Sequence, residues 1–166
     1  MKYIHVTDSL QDYQYELVAP AGEDFAPEFT PDLTPTEMLQ LGVFGGDYFH
    51  GEHDEYPAAW FSAARLSDRH DPEVNYFQIN ASQPLSVWQQ KGWIYDNDPR
   101  GWFQWYCRYY LGRRLSDGED ERQIRRWKNM KRHVSQVQKY CAPGDLACRR
   151  RQRQALLHWA YDSRKL

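Results

Sequence analysis

The sequence predicts a mainly α-helical fold, one compact helical domain (37–166) behind an irregular acidic arm (1–36). Three observations predict it. From residue 98 onward, apolar residues recur at three- and four-residue steps between recognisable start and stop signals. The first 36 residues are instead rich in proline, acids and small residues. The charge also reverses along the chain. Residues 1–98 hold 4 Lys/Arg against 17 Asp/Glu, whereas 99–166 hold 17 against 6. At 166 residues, 41% hydrophobic and 16% aromatic, the chain has enough apolar surface for one core without staples.

Taken in order, "KYIHV" predicts a short strand, and "APAGEDFAPEFTPDLTP" a loop that wraps the basic half by opposite charge. Thr34 as N-cap, Pro35 at the first helical position and Glu37 at the capping-box position predict a helix, stopped at Gly42 or at Gly45-Gly46. "EYPAAWFSAARLS" reads as a second short helix, with Ala58, Phe61, Ala64 and Leu66 on one side, and "NYFQINA" as extended or loop. "SQPLSVWQQKGWI" reads as a helix closed by Gly92, with Trp93 and Ile94 folding back onto it. Asp98 as N-cap and Pro99 at the first position open the helix through "GWFQWYCRYYLGRR". A long helix follows through "EDERQIRRWKNMKRHVSQVQKY", acids first and bases later as its dipole favours. After the Pro143-Gly144 break, Asp145 caps a last helix that runs close to Leu166.

The aromatic run decides what is core. Trp102, Trp105, Tyr106, Tyr109 and Tyr110 follow helical spacing, Phe103 and Cys107 widen the apolar arc, and Gln104 and Arg108 form the polar strip. A helix so apolar belongs at the centre of a domain. Its edge, with Tyr48, Trp102, Trp105, Tyr106 and Tyr109, is also the candidate wall of an aromatic pocket, with Trp105, Tyr106 and Tyr109 as stacking groups.

The segments "LGVFGGDYF", "EYPAAWF", "PLSVWQQKGWI", "DPRGWFQWYCRYYLGRR" and "RQRQALLHWAYD" resemble the landmarks of a family of short proteins without an assigned activity. The resemblance covers roughly residues 37–162. It implies no reaction and transfers no catalytic residue.

Function is therefore read from the residues. Ile124, Trp127, Met130, Val134 and Val137 share one helix face; Arg125, Lys128, Arg132, Gln136 and Lys139 take the other. Arg149, Arg150, Arg151 and Arg153 add a cluster, and Arg108, Arg113 and Arg114 adjoin the aromatic run. Arginine's planar fork suits phosphate oxygens, so these residues form the candidate phosphate or nucleic-acid surface, although no P-loop, zinc-finger or RRM signature accompanies them. The alternative is an acid-on-base internal fit, or an acidic protein partner.

His50, Glu52, His53 and Glu55 are the candidate acid–base groups of an enzyme acting on a small or nucleotide-like substrate, with Gly45-Gly46 turning Asp47 and Tyr48 toward them. Their spacing matches no standard metal motif, and neither does that of Cys107, His133, Cys141, Cys148 and His158, so no metal or cofactor is expected. Three cysteines and no apolar leader imply a reducing intracellular setting, cytoplasmic or nuclear, with free buried thiols. No run approaches the ~20 apolar residues of a membrane span.

Overall fold

The computed structural model describes residues 2–81 and 94–166. The helix expected over "SQPLSVWQQKGWI" lies, up to Trp93, outside the described residues. Strands β1 (Lys2–Thr7) and β2 (Asp12–Leu17) pair antiparallel, Lys2 opposite Leu17 and Thr7 opposite Asp12. The α-helices among the described residues are α1 (Pro35–Gln40), α2 (Trp102–Leu111), α3 (Glu119–Asn129), α4 (Lys131–Tyr140) and α5 (Arg150–Leu157). Short 3₁₀ turns stand at Ala58–Trp60, Pro72–Val74 and Ser163–Lys165, and irregular loops supply much of the rest. The fold is thus helical in its core elements; the short strand expected at "KYIHV" is β1, it pairs with a second strand that was not expected, and loops take more of the chain than the mainly α reading allowed.

Helix α1 forms as its signals predict. The Thr34 hydroxyl accepts from the Glu37 N–H at 3.2 Å, and the Glu37 carboxylate accepts from the Thr34 N–H at 3.0 Å. The segment after Pro57 yields only a 3₁₀ turn rather than a helix.

Helix α2 is the keel, buried from Trp102 through Tyr109. Its start differs from expectation. Asp98 and Pro99 form a turn in which the Gly101 N–H donates to the Asp98 carbonyl, and Gly101 caps the helix at φ 106°. At the other end Gly112 has φ 121°, and its carbonyl accepts from the N–H groups of Val18 and Ala19. A Cβ at Gly112 would stand 2.0 Å from the Ala19 carbonyl oxygen, so only glycine allows the strand exit to dock there.

The N-terminal arm is not a loose wrap. Phe29 is 2% exposed and lies edge-on to Trp102, Tyr106, Tyr109 and Trp127, with ring centroids 5.0–6.4 Å away. Leu33 is buried beside it, and the Tyr106 hydroxyl donates to the Leu33 carbonyl at 2.6 Å. The arm therefore supplies a central core residue, which edge-to-face ring packing stabilises beyond area burial alone.

The expected long helix is divided into α3 and α4 at Met130, whose backbone stays helical (φ −70°, ψ −13°); its N–H donates to the Trp127 carbonyl, so the α-helical ladder is interrupted there without a glycine or proline. Ile124, Trp127 and Val137 are buried and Met130 and Val134 pack against the core, as their spacing predicts. Asp145 does not cap the last helix; Arg149 does, in the left-handed region at φ 52°. A disulfide joins Cys141 to Cys148 across the connection, a correction to the expectation of free thiols and contrary to the reducing setting inferred from cysteine count. Cys107 is free and fully buried. Among the described residues no helix is long and apolar enough to cross a membrane.

Candidate functional site

The charge reversal divides into two structures, one buried and one exposed. The buried one centres on Asp98, 0% exposed. Its Oδ1 accepts from Arg108 Nη1 at 2.8 Å and Arg113 Nη1 at 2.7 Å, and its Oδ2 from Arg113 Nη2 at 2.6 Å. Arg108 also reaches Glu55 with Nε at 2.7 Å and Nη2 at 3.0 Å, the Asn97 carbonyl at 2.6 Å, and Gln11 Oε1 at 2.6 Å. The Tyr15 hydroxyl donates to Glu55 at 2.6 Å. Burial opposes the charge on Arg108, but its bonds to Glu55 and the nearby Asp98 outweigh that and raise its pKa. Arg113 behaves likewise, burial being offset by Asp98. Buried charges persist only when paired this fully.

Arg108, Arg113 and Arg153 are therefore corrections to the predicted phosphate-binding set. Arg153 is fully buried and donates to the carbonyls of Cys148, Ser163 and Leu166. Arg114 is half-buried, 3.7 Å from the Tyr109 ring centroid, and donates to the carbonyls of Tyr109, Glu23 and Asp24. These guanidiniums hold the fold together.

The predicted aromatic pocket closes into core as well. Trp102, Trp105, Tyr106 and Tyr109 are each at most 2% exposed. Trp105 Nε1 donates to Asp120 at 2.8 Å, the Ala26 N–H donates to the Tyr109 hydroxyl at 2.9 Å, and the Tyr48 hydroxyl donates to the Arg100 carbonyl. None of these four side chains of the run is left facing a ligand.

The four predicted acid–base residues do not converge either. Glu55 is committed to Arg108, and Glu52 pairs with Arg100 while accepting from the Ser9 N–H and hydroxyl at 2.8 Å each. Those Ser9 bonds, more than Arg100, hold Glu52 below the usual carboxylate range. His53 stacks on Phe61 with centroids 4.1 Å apart, and exposed His50 sits 3.2 Å from Asp47. The cavity beside His53 and Phe61 measures about 10 Å³, room for one water at most. Among the described residues, no three His, Cys, Asp or Glu side chains are arranged to hold a metal ion.

What remains exposed is the outer side of α3, α4 and the start of α5. Arg125, Lys128, Arg132, Lys139, Arg149, Arg150 and Arg151 all face solvent, joined by Lys131. None of the eight forms an ion pair with a described carboxylate, whereas Arg100, Arg108 and Arg113 all do. The disulfide ties the end of α4 to the start of α5, so both parts of the surface form one unit. Within it, Gln152 Nε2 lies 2.8 Å from His133 Nδ1 and donates to Gln136 Oε1 at 2.7 Å. Burial, then Arg132, lowers the His133 pKa and favours the neutral imidazole.

Sequence reasoning missed Tyr140. It is 58% exposed at the end of α4, with Arg149 Cζ 4.5 Å and Lys139 Nζ 5.3 Å from its ring centroid. The available signal was its place outside the apolar stripe, beside Lys139.

No protein-family model, curated protein or solved structure matches the chain.

Proposed function

We propose that the exposed face of α3, α4 and α5 binds nucleic acid through its phosphates. One observation carries this reading: the buried arginines are paired with carboxylates or hydrogen-bonded to carbonyls, whereas the eight exposed bases on the outer side of α3, α4 and the start of α5 have no acidic partner among the described residues, unlike Arg122, Arg164 and Lys165, which do. Had the acidic half merely covered the basic half, the surface bases would be paired too. An array of unpaired Arg and Lys attracts a polyanion by counterion release. The acid–base reading of residues 50–55 loses support because both of its glutamates already serve arginines.

The test is fluorescence anisotropy with labelled 15-nucleotide single strands and 15-base-pair duplexes at 50 mM salt. Wild-type protein is expected to bind, and R125E/K128E/R150E/R151E to lose at least tenfold with an unchanged melting temperature. Absence of binding by the wild-type protein overturns the reading. So does equal competition by poly-glutamate, which would mark the face as a surface for acidic polypeptides.

A further inference from the structure

We infer that Tyr140 is a stacking platform that makes this face prefer single-stranded nucleic acid over duplex. The inference rests on the phosphate-binding reading of the same face and names its ligand class more narrowly.

Three observations carry it. Tyr140 is 58% exposed, while Trp102, Trp105, Tyr106 and Tyr109 are all packed into the core. Two cations lie over its ring, Arg149 Cζ at 4.5 Å and Lys139 Nζ at 5.3 Å from the centroid, in cation–π contact while the ring stays 58% exposed. An exposed aromatic ring joined to backbone-binding cations is the arrangement by which proteins hold unpaired bases without reading their sequence.

The third observation is that the ring and its neighbour are held in place. Cys141 follows Tyr140 and Cys148 precedes Arg149, so the disulfide fixes the two partners across the loop. Arg149 itself adopts φ 52°, and its Nη1 donates to Gln152 Oε1 at 3.2 Å. Gln152 is in turn held by His133 and Gln136. A pre-positioned platform loses little freedom on binding, which favours affinity.

A duplex keeps its bases stacked on one another and offers the face only phosphates. A single strand offers both phosphates and unpaired base faces. Stacking on one aromatic side chain is therefore expected to favour the single strand by about tenfold.

The experiment compares Tyr140→Phe and Tyr140→Leu with wild type on a labelled oligo-dT 15-mer and on a 15-base-pair duplex at equal salt. Tyr140→Phe is expected to keep wild-type affinity for both. Tyr140→Leu is expected to lose about tenfold on the single strand and less than twofold on the duplex. Equal affinity of wild type for both forms, or an unchanged single-strand affinity in Tyr140→Leu, overturns the platform while the basic face stands. Failure of wild type to bind either form removes the underlying reading and the platform with it. Because the ring is exposed, thermal melting of Tyr140→Leu is expected to match wild type, and a lowered melting point together with equal losses on both ligands also overturns the inference.

Discussion

Replacing Asp98 by asparagine should destabilise the protein more than almost any other change to a single polar side chain. Asp98 is fully buried and accepts three bonds of 2.6–2.8 Å from two guanidiniums. Asparagine keeps the volume but removes the charge and puts donors where acceptors are required. Arg108 would keep Glu55, Asn97 and Gln11; Arg113 would keep at most the one amide oxygen and the Tyr13 hydroxyl at 3.4 Å, with no carboxylate opposite its charge. Leaving a buried charge uncompensated costs about 3–5 kcal/mol. For a domain of this size that corresponds to a fall in melting temperature of roughly 6–20 °C. Urea unfolding followed by tryptophan fluorescence measures it, with Glu121→Gln on the exposed face of α3 as control. A loss below about 1 kcal/mol for Asp98→Asn would refute the view that the Asp98 cluster holds the halves together.

Two further outcomes follow from buried groups. Burial lowers the His158 pKa to about 4, against an unfolded value near 6.5. Between those values the unfolded chain binds the extra proton, so stability is full above about pH 6.5 and falls as pH drops toward 4. The loss should be about 2 kcal/mol by pH 5, and His158→Gln should remove that part of the slope in urea titrations; an identical slope in the variant would contradict the assignment. The Cys141–Cys148 link closes a short loop, sequence separation 7, worth about 2.5 kcal/mol by loop entropy. A dithiol reductant, or the double change to serine, should lower the melting temperature by roughly 5–10 °C. Identical melting with and without reductant would show that the link does not form.

How much of this was legible depended on whether the signal was periodic. The α1 cap, the α2 keel and the apolar stripe of α3 and α4 were readable because their residue types recur at helical spacing or occupy capping positions. Phe29 was not, because two aromatics in a Pro-rich loop, Phe25 and Phe29, set no repeating pattern. Asp98 imitated an N-cap through its Asp-Pro pairing, and nothing local revealed two arginines, ten and fifteen residues away, converging on it. Met130 interrupts the helical ladder while keeping helical angles, so no breaker residue marked the division. The arginines were the hardest case. Residue type cannot separate a buried Arg108 from an exposed Arg125, although their helices can: α2 is apolar around most of its circumference, and α3 is not. Arg153, with Leu156 and Leu157, lies on the buried side of α5, while Arg150 and Arg151 face outward.

The salt dependence of single-strand binding tests the central claim most directly, because it responds to the phosphate contacts themselves. For wild-type protein, log affinity should fall linearly with log salt concentration, each contact on a single strand contributing about −0.7 to the slope. Arg150→Gln with Arg151→Gln should make that slope shallower by roughly 1.4. A slope near zero in wild type, or one unchanged by the double substitution, would contradict the assignment of this face to phosphate.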